Sequence, residues 1–279
     1  MYTYAYLNGK IVRTDKPQLY LDDIGLLRGF GSFDFFRIYN KVPLDFDAHY
    51  ARFLASSKQL GLRVPITKAV LKEVLQTLLK KNKVTDAHVR IILTGGKVKA
   101  GLEPTIPNVF VLLEPRKDLP AALYTKGGSL ITFEHQRPFA SAKTTNYQQA
   151  VVLQPVKKKH GAIEVLYIAN GKVLEAATSN ICIVKKGIIY APKENVLLGI
   201  TRQVVLSCAR ELGYRVAEHD VTVNELLAAD EVFITATNKF VLPIVRIDGK
   251  VIANGKPGPI SRVLNEAYKA HIVKECGCA

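Results

Sequence analysis

Two of the three Asn-Gly dipeptides, Asn8-Gly9 and Asn170-Gly171, each stand between short runs of alternating apolar and polar residues, and a Lys-Gly pair, Lys186-Gly187, repeats the pattern. Such pairs suit the tight hairpin turn, which needs positive φ at both central residues and whose twist matches paired strands. They commit the chain to antiparallel strand pairs near its start and again in its second half. Between these regions the spacing turns helical. "DAHYARFLASSKQLGL" (47–62) predicts a helix with Asp47 as its cap, and "TKAVLKEVLQTLLKKN" (67–82) predicts a second one opened by Thr67. "AHVRIILTGG" and "NVFVLLEP" read as strands. Strands, then helices, then strands again give a mixed α/β protein.

The polar segment "EPRKDLP" at 114–120 carries two prolines and is the best break in the chain. The expected organisation is a small N-terminal α/β domain over 1–115, a linker over 116–123 and a larger C-terminal α/β domain over 124–279, with a cleft between the two. In the later block "GSLITFE" and "DEVFITATN" read as strands. A helix over about 202–212 stops at Gly213 and packs through Val204, Val205, Cys208 and Leu212, and "ISRVLNEAYKA" is a last helix.

Composition narrows the function classes. Hydrophobic residues make up 48% and charged residues 23%, an ordinary soluble globular balance. No apolar run approaches a membrane span, and "MYTYAYLNGKIVRT" reads as a hairpin rather than a signal peptide. The net charge of +15 permits nucleic-acid binding without requiring it. The basic runs "KKNK" (80–83) and "KKKH" (157–160) end helical segments, where cations suit the helix dipole, and no aromatic residues interleave with them to stack bases. Four cysteines, Cys182, Cys208, Cys276 and Cys278, are too few for a disulfide framework, so a reducing cytoplasm is expected. The final "CGC" offers two thiols and no histidine; it reads as a frayed tail, and no metal site is expected.

Five stretches carry chemistry-bearing residues. "ASAKTTNYQQAV" (140–151) sets Lys143 among small residues ahead of a helical run. Most lysines are solvated surface charges, but a lysine whose pKa is lowered by its surroundings forms Schiff bases. "VLLGITRQVV" places Gly199 directly before a helix, so that the N–H groups of Ile200 and Thr201 and the Thr201 hydroxyl form a phosphate site, although a helix after a glycine needs no ligand. "GKVLEAATSNICIV" puts Glu175 at a strand end and Asn180 at the next strand; the carboxylate could cap a turn or hold a proton on a ring nitrogen. "ITATNKF" leaves Thr237 at the end of an apolar strand, and "AHYARF" places Arg52 on a helix, as a surface cation or a further phosphate contact.

In order and spacing, Lys143 with Asn146 following, "EAATSN", "LGITR" and "ADEVFITAT" resemble the class IV aminotransferases over nearly the whole chain. These are the fold-type-IV enzymes that use pyridoxal 5′-phosphate (PLP): D-amino-acid aminotransferases, branched-chain aminotransferases and aminodeoxychorismate lyases. The resemblance implies a two-domain mixed α/β fold and a homodimer. It makes Lys143 the lysine that binds PLP as a Schiff base and moves the substrate proton, and Glu175 the carboxylate facing the pyridine nitrogen. Arg52, Ser179, Asn180, Gly199, Ile200, Thr201, Ala236 and Thr237 would surround the cofactor and its phosphate. Tyr147 would lie near the phenolic oxygen, and Arg137 would stand behind these contacts. A carboxylate-paired pyridinium is a strong electron sink, and a free lysine amine serves as base and then acid, so the implied roles are chemically coherent. The family usually has Glu-Gly where this chain has Glu175-Ala176, a departure that bears on the loop's conformation.

Three arginines are candidates for substrate binding: Arg28 in "LLRGFGSF", Arg37 in "FDFFRIY" and Arg90 in "AHVRIIL". Each could instead pair with an acid such as Asp34, Asp45 or Asp86. Arg28 stands where many family members have tyrosine, whereas Arg37 and Arg90 stand where branched-chain enzymes also carry arginine. Two arginines in one pocket would clamp a carboxylate or attract a dicarboxylate, which suits glutamate and its keto acid. The loop "TGGKVKAGLEP" lacks the Arg-x-His pair that serves the α-carboxylate in characterised D-amino-acid enzymes, so in a D-amino-acid enzyme Arg28 and Arg90 must replace it. In the family the loop carrying Arg28 reaches the neighbouring subunit's active site.

The first reading is therefore transamination between D-amino acids, glutamate and alanine among them, and 2-oxo acids. A branched-chain L-amino-acid aminotransferase is second. An aminodeoxychorismate lyase is third, because Asp34, Phe35 and Phe36 occupy the place of a usual Thr-Thr pair. A nucleic-acid-binding module without chemistry would leave the spacing of Lys143, Glu175 and Gly199–Thr201 unexplained.

Overall fold

The computed structural model describes residues 1–16 and 19–277, which form two compact units. The first comprises Met1–Lys117, the segment Ala142–Tyr147 and the chain from Lys274 onward; the second comprises Asp118–Ser141 and Gln148–Val273. The short segment that carries Lys143 thus belongs with the N-terminal unit, although it lies far along the chain.

The first unit contains β1 (Tyr4–Leu7), β2 (Lys10–Arg13), α1 (Ile24–Arg28), β3 (Gly31–Tyr39), β4 (Val42–Pro43), α2 (Phe46–Gln59), α3 (Lys68–Asn82), β5 (Ala87–Thr94) and β6 (Asn108–Glu114). Its six strands pair antiparallel in the order β2-β1-β6-β5-β3-β4. The turn at Asn8-Gly9 has φ of 45° and 89°, the expected double positive-φ hairpin. Asn40-Lys41 closes β3 and β4 in the same way, at 44° and 67°, without a glycine to announce it. The apolar face of α3 (Leu71, Leu75, Leu78) packs with Phe53 of α2 over Val89, Ile91 and Val111 of the sheet. Thr67 caps α3 by accepting from Val70 N. The cap of α2 is Asp45 rather than Asp47; Asp47 sits in the first turn and pairs with Lys68.

The second unit contains α4 (Ala122–Lys126), β7 (Gly128–Glu134), α5 (Gln148–Val152), α6 (Gln154–Lys159), β8 (Glu164–Ala169), β9 (Lys172–Ala176), β10 (Asn180–Lys185), β11 (Ile188–Ala191), α7 (Ile200–Glu211), β12 (Arg215–Glu218), β13 (Val221–Thr222), α8 (Val223–Leu227), β14 (Glu231–Ala236), β15 (Phe240–Ile247), β16 (Lys250–Val251) and most of α9 (Pro259–Cys276). Its sheet runs β12-β11-β10-β14-β15-β7-β8-β9-β13, with β16 beside β15, and mixes parallel pairs (β7 with β8 and with β15, β11 with β12) with antiparallel ones. The turns at Asn170-Gly171 and Lys186-Gly187 again have positive φ at both residues. Leu130, Ile181, Val232, Ile234 and Leu242 are among the residues of its core.

Two sequence expectations shift. Helix α7 starts at Ile200 and buries Val205, Leu206 and Ala209, while Leu212 is exposed, so its apolar stripe is rotated from the expected one. Cys276 is not in a frayed tail: it ends α9, is buried, and its thiol donates to Val42 O at 3.8 Å. Cys278 lies outside the described residues. Among those residues Cys182, Cys208 and Cys276 are unbridged, and no helix is long and apolar enough to cross a membrane.

Candidate active site

In the first unit Lys143 is set by its backbone. Its N–H donates to Ser56 Oγ at 3.0 Å, and its carbonyl accepts from Phe33 N at 2.9 Å. Thr145 N donates to Gly31 O, and the Thr145 hydroxyl to Gly29 O. The segment is therefore clipped to the start of β3 on one side and to α2 on the other. The half-buried side chain brings Nζ 4.7 Å from the centre of the Phe33 ring. Tyr147 meets the same ring edge-on at 5.5 Å, and the Arg90 guanidinium lies 5.7 Å from it and 4.9 Å from Phe35. Phe33, a residue with no polar signal, thus gathers three of the candidate residues.

The candidate arginines fare differently. Arg90 pairs with Glu114, an acid not considered from sequence, through Nε at 2.6 Å and a second nitrogen at 3.3 Å. Arg28 is exposed at the end of α1 and donates to Leu27 O. Arg37 is enclosed, 1% exposed, and donates to Tyr39 OH. Asp34 serves Arg52 and His49 instead. Its carboxylate, fully buried, accepts from Arg52 Nε and a terminal guanidinium nitrogen at 2.8 Å each, from His49 Nδ1 at 2.7 Å and from Phe35 N at 2.7 Å. Burial alone would raise the Asp34 carboxyl, but the charges and hydrogen bonds of its partners, Arg52 first, outweigh it and hold the group well below the usual carboxylate range. Burial lowers His49, against the pull of Asp34, so its imidazole is a neutral donor near pH 7.

In the second unit Glu175 is the penultimate residue of β9, buried, and its Oε1 accepts from Arg137 at 2.6–2.8 Å. Arg137 also donates to Ala140 O, three residues ahead of Lys143 in the chain. Leu197 N donates to Glu175 Oε2 at 3.1 Å, Leu197 O accepts from Asn180 Nδ2 at 2.6 Å, and Asn180 Oδ1 accepts from Gly199 N at 3.0 Å. This relay fixes the Glu175 carboxylate relative to the start of α7. A Cβ at 199 would lie 2.1 Å from Asn180 Oδ1, so a larger residue would push the Asn180 amide off its bond to residue 199 N. Ile200 and Thr201 then present N–H groups that no helix turn precedes, and the buried Thr201 hydroxyl lies 3.4 Å from Tyr268 OH. Thr237 opens the turn between β14 and β15, just after Ala236.

The departure at Ala176 costs nothing in backbone strain, since Ala176 does not adopt positive φ; its N–H simply donates to Ser179 O at 2.8 Å. The turn it opens rests on Glu164, which sequence reasoning missed. That buried carboxylate accepts from Thr178 N, the Thr178 and Ser179 hydroxyls and Lys239 Nζ. Burial would raise Glu164, but the Lys239 charge and these hydrogen bonds lower it. A charged residue inside an apolar strand, as in "FDFFR" or "AIEVLY", is the signal that could have flagged Asp34 and Glu164, because a buried charge must have partners.

A buried, ion-paired carboxylate tied to an open helix N-terminus, with threonine hydroxyls nearby in sequence, fits a ring nitrogen and a phosphate. The amino-transferase class IV family model matches residues 31–247, most of the chain. The chain belongs to the class IV aminotransferases. A Bacillus licheniformis protein named D-alanine aminotransferase is 32% identical over 96% of each chain. A Methanocaldococcus jannaschii protein provisionally named a branched-chain-amino-acid aminotransferase is 34% identical over 95% of this chain and 94% of its own. Among solved structures, the branched-chain amino acid aminotransferase of T.th. with pyridoxamine 5′-phosphate superposes with a TM-score of 0.90 at 28% identity, covering 100% of this chain and 96% of that one. The fold is the fold-type-IV one, and the cofactor of this aminotransferase is PLP. When bound, PLP supplies the electron sink that stabilises negative charge at the substrate Cα.

Proposed function

We propose that this aminotransferase acts on D-amino acids, D-glutamate and D-alanine among them, with 2-oxo acids as acceptors. The reading is carried by the full-length similarity to the D-alanine aminotransferase; Arg90, held against Phe33, the ring that Lys143 Nζ also faces, suits a D-amino-acid and a branched-chain enzyme alike. The Arg90 guanidinium is bound to Glu114 through Nε and a second nitrogen, so a substrate carboxylate would have to share it with Glu114 or displace that acid. A branched-chain L-amino-acid enzyme is the second reading, favoured by the names of the solved neighbours.

In this reading Lys143 binds PLP and then moves the proton from the substrate Cα. Glu175 receives the ring nitrogen, kept in place by Arg137 and Leu197 N. Arg52, Gly199, Ile200, Thr201 and Thr237 hold the phosphate, with Ser179, Asn180 and Ala236 alongside and Tyr147 near the phenolic oxygen. Arg28 and Arg90 bind the substrate carboxylates. Arg37, 1% exposed, is the most enclosed of the three candidates for that role. Arg28→Ala and Arg90→Ala should each raise KM for D-glutamate about 10- to 100-fold with a smaller change in kcat. Steady-state kinetics decides it; an unchanged KM in both variants would return these arginines to structural roles.

We also propose a homodimer in the cytoplasm. Leu21, Leu26, Leu102 and Ile106 are between 67% and 83% exposed. They lie on two segments joined through Ile24 N to Gly96 O, and through the buried Asp23 carboxylate, which accepts from Thr94 and Asn108. Exposed apolar side chains on neighbouring segments suit burial against a second copy. Sedimentation should report two chains; a single-chain mass at micromolar concentration would contradict this. The unbridged cysteines suit a reducing compartment, and fractionation with exported proteins would contradict that placement.

A further inference from the structure

We infer that Asp34 and His49 are positioning residues that aim Arg52 at the cofactor phosphate, and so set the enzyme's preference for phosphorylated over unphosphorylated pyridoxal. The inference rests on the phosphate role proposed for Arg52. Asp34 has no exposed surface, so it cannot meet substrate or cofactor itself. Its carboxylate takes Arg52 through Nε and one terminal nitrogen, a bidentate grip that fixes the plane of the guanidinium and leaves the other terminal nitrogen for a ligand. The Arg52 side chain is 12% exposed, enough to present that remaining edge. His49 lies one helical turn before Arg52 on α2, and its Nδ1–H bond to Asp34 Oδ1 stops the carboxylate from rotating.

The placement has a further consequence within the same unit. Asp34 directly follows Phe33, whose N–H holds the Lys143 carbonyl, and Arg52 shares α2 with Ser56, which accepts from Lys143 N. One strand and one helix therefore fix the backbone of Lys143 and the guanidinium of Arg52 together. A loosened Arg52 can swing while Lys143 stays in place. Loss of Asp34 should accordingly weaken phosphate binding and spare what the lysine does with an unphosphorylated aldehyde.

The test compares the affinities of the apoenzyme for PLP and for pyridoxal, by absorbance titration, in the wild type, Asp34→Asn, Arg52→Met and the double variant. The expected result is a PLP-to-pyridoxal preference reduced about 10- to 100-fold in Asp34→Asn, with pyridoxal affinity little changed, and no further loss when Asp34→Asn is added to Arg52→Met. Should Asp34→Asn fail to fold, His49→Ala against His49→Asn repeats the comparison, the asparagine retaining a donor near the Nδ1 position. A preference lost in Arg52→Met but intact in Asp34→Asn and His49→Ala would overturn the inference alone. Equal weakening of both ligands, or the same loss with Arg52 already removed, would also overturn it. An unchanged preference in Arg52→Met would instead sink the phosphate role of Arg52 on which it stands.

Discussion

Lys143→Ala should lower transamination by at least about 10⁴-fold while the protein folds normally. The loss is large because the same amine is asked to hold the cofactor and to carry the proton at Cα, so no second group backs it up. The fold should survive because the structural bonds at this position are made by the main chain. Lys143 N to Ser56 and Lys143 O to Phe33 N are both available to alanine. Steady-state turnover beside a circular dichroism spectrum checks both halves, and a variant within tenfold of normal turnover would contradict the role.

Glu175→Gln should cost about 10²- to 10³-fold in kcat. An amide cannot offer a full negative charge to a protonated ring nitrogen, so the electron sink weakens at the step where negative charge builds at Cα. The same change takes the carboxylate from the half-buried Arg137 guanidinium, and breaking a fully buried pair typically costs about 3–5 kcal/mol, an upper bound for this partly exposed one. Activity and thermal stability should both fall. Glu175→Gln/Arg137→Met removes that cation as well and should recover stability without recovering kcat. Recovery of kcat in that double variant would show that Glu175 acts only through folding.

The parts of the fold legible in the sequence are those where local chemistry dictates backbone shape. Asn8-Gly9 and Asn170-Gly171 announce their hairpins because few residues accept two positive φ angles, and Thr67 announces α3 because its hydroxyl satisfies Val70 N. Asn40-Lys41 makes the same turn unseen, since lysine at positive φ is held there by the strands around it rather than by its own preference. The rotated stripe of α7 has a similar cause. Arg202 is buried, with its guanidinium on Glu218 and Pro192 O, and that polar burial turns the helix away from the face its apolar residues alone would choose.

At the candidate site, Lys143, Glu175 and Gly199 stood out because their neighbours are small or because a helix follows. Asp34, His49 and Phe33 did not, for their significance lies in what they touch. Asp34 meets Arg52 eighteen positions away, and Phe33 meets Lys143 across more than a hundred. Lys239 with Glu164 was equally silent, because a lysine after a strand reads as solvated until its ammonium is seen buried on a carboxylate.

The most direct test of D-amino-acid transamination is the absorption spectrum of the PLP-loaded enzyme during separate additions of D-glutamate and L-glutamate without an acceptor. The account requires the long-wavelength cofactor band to disappear with the D-isomer and persist with the L-isomer. Loss of the band with L-glutamate alone would contradict it and make this a branched-chain-type enzyme.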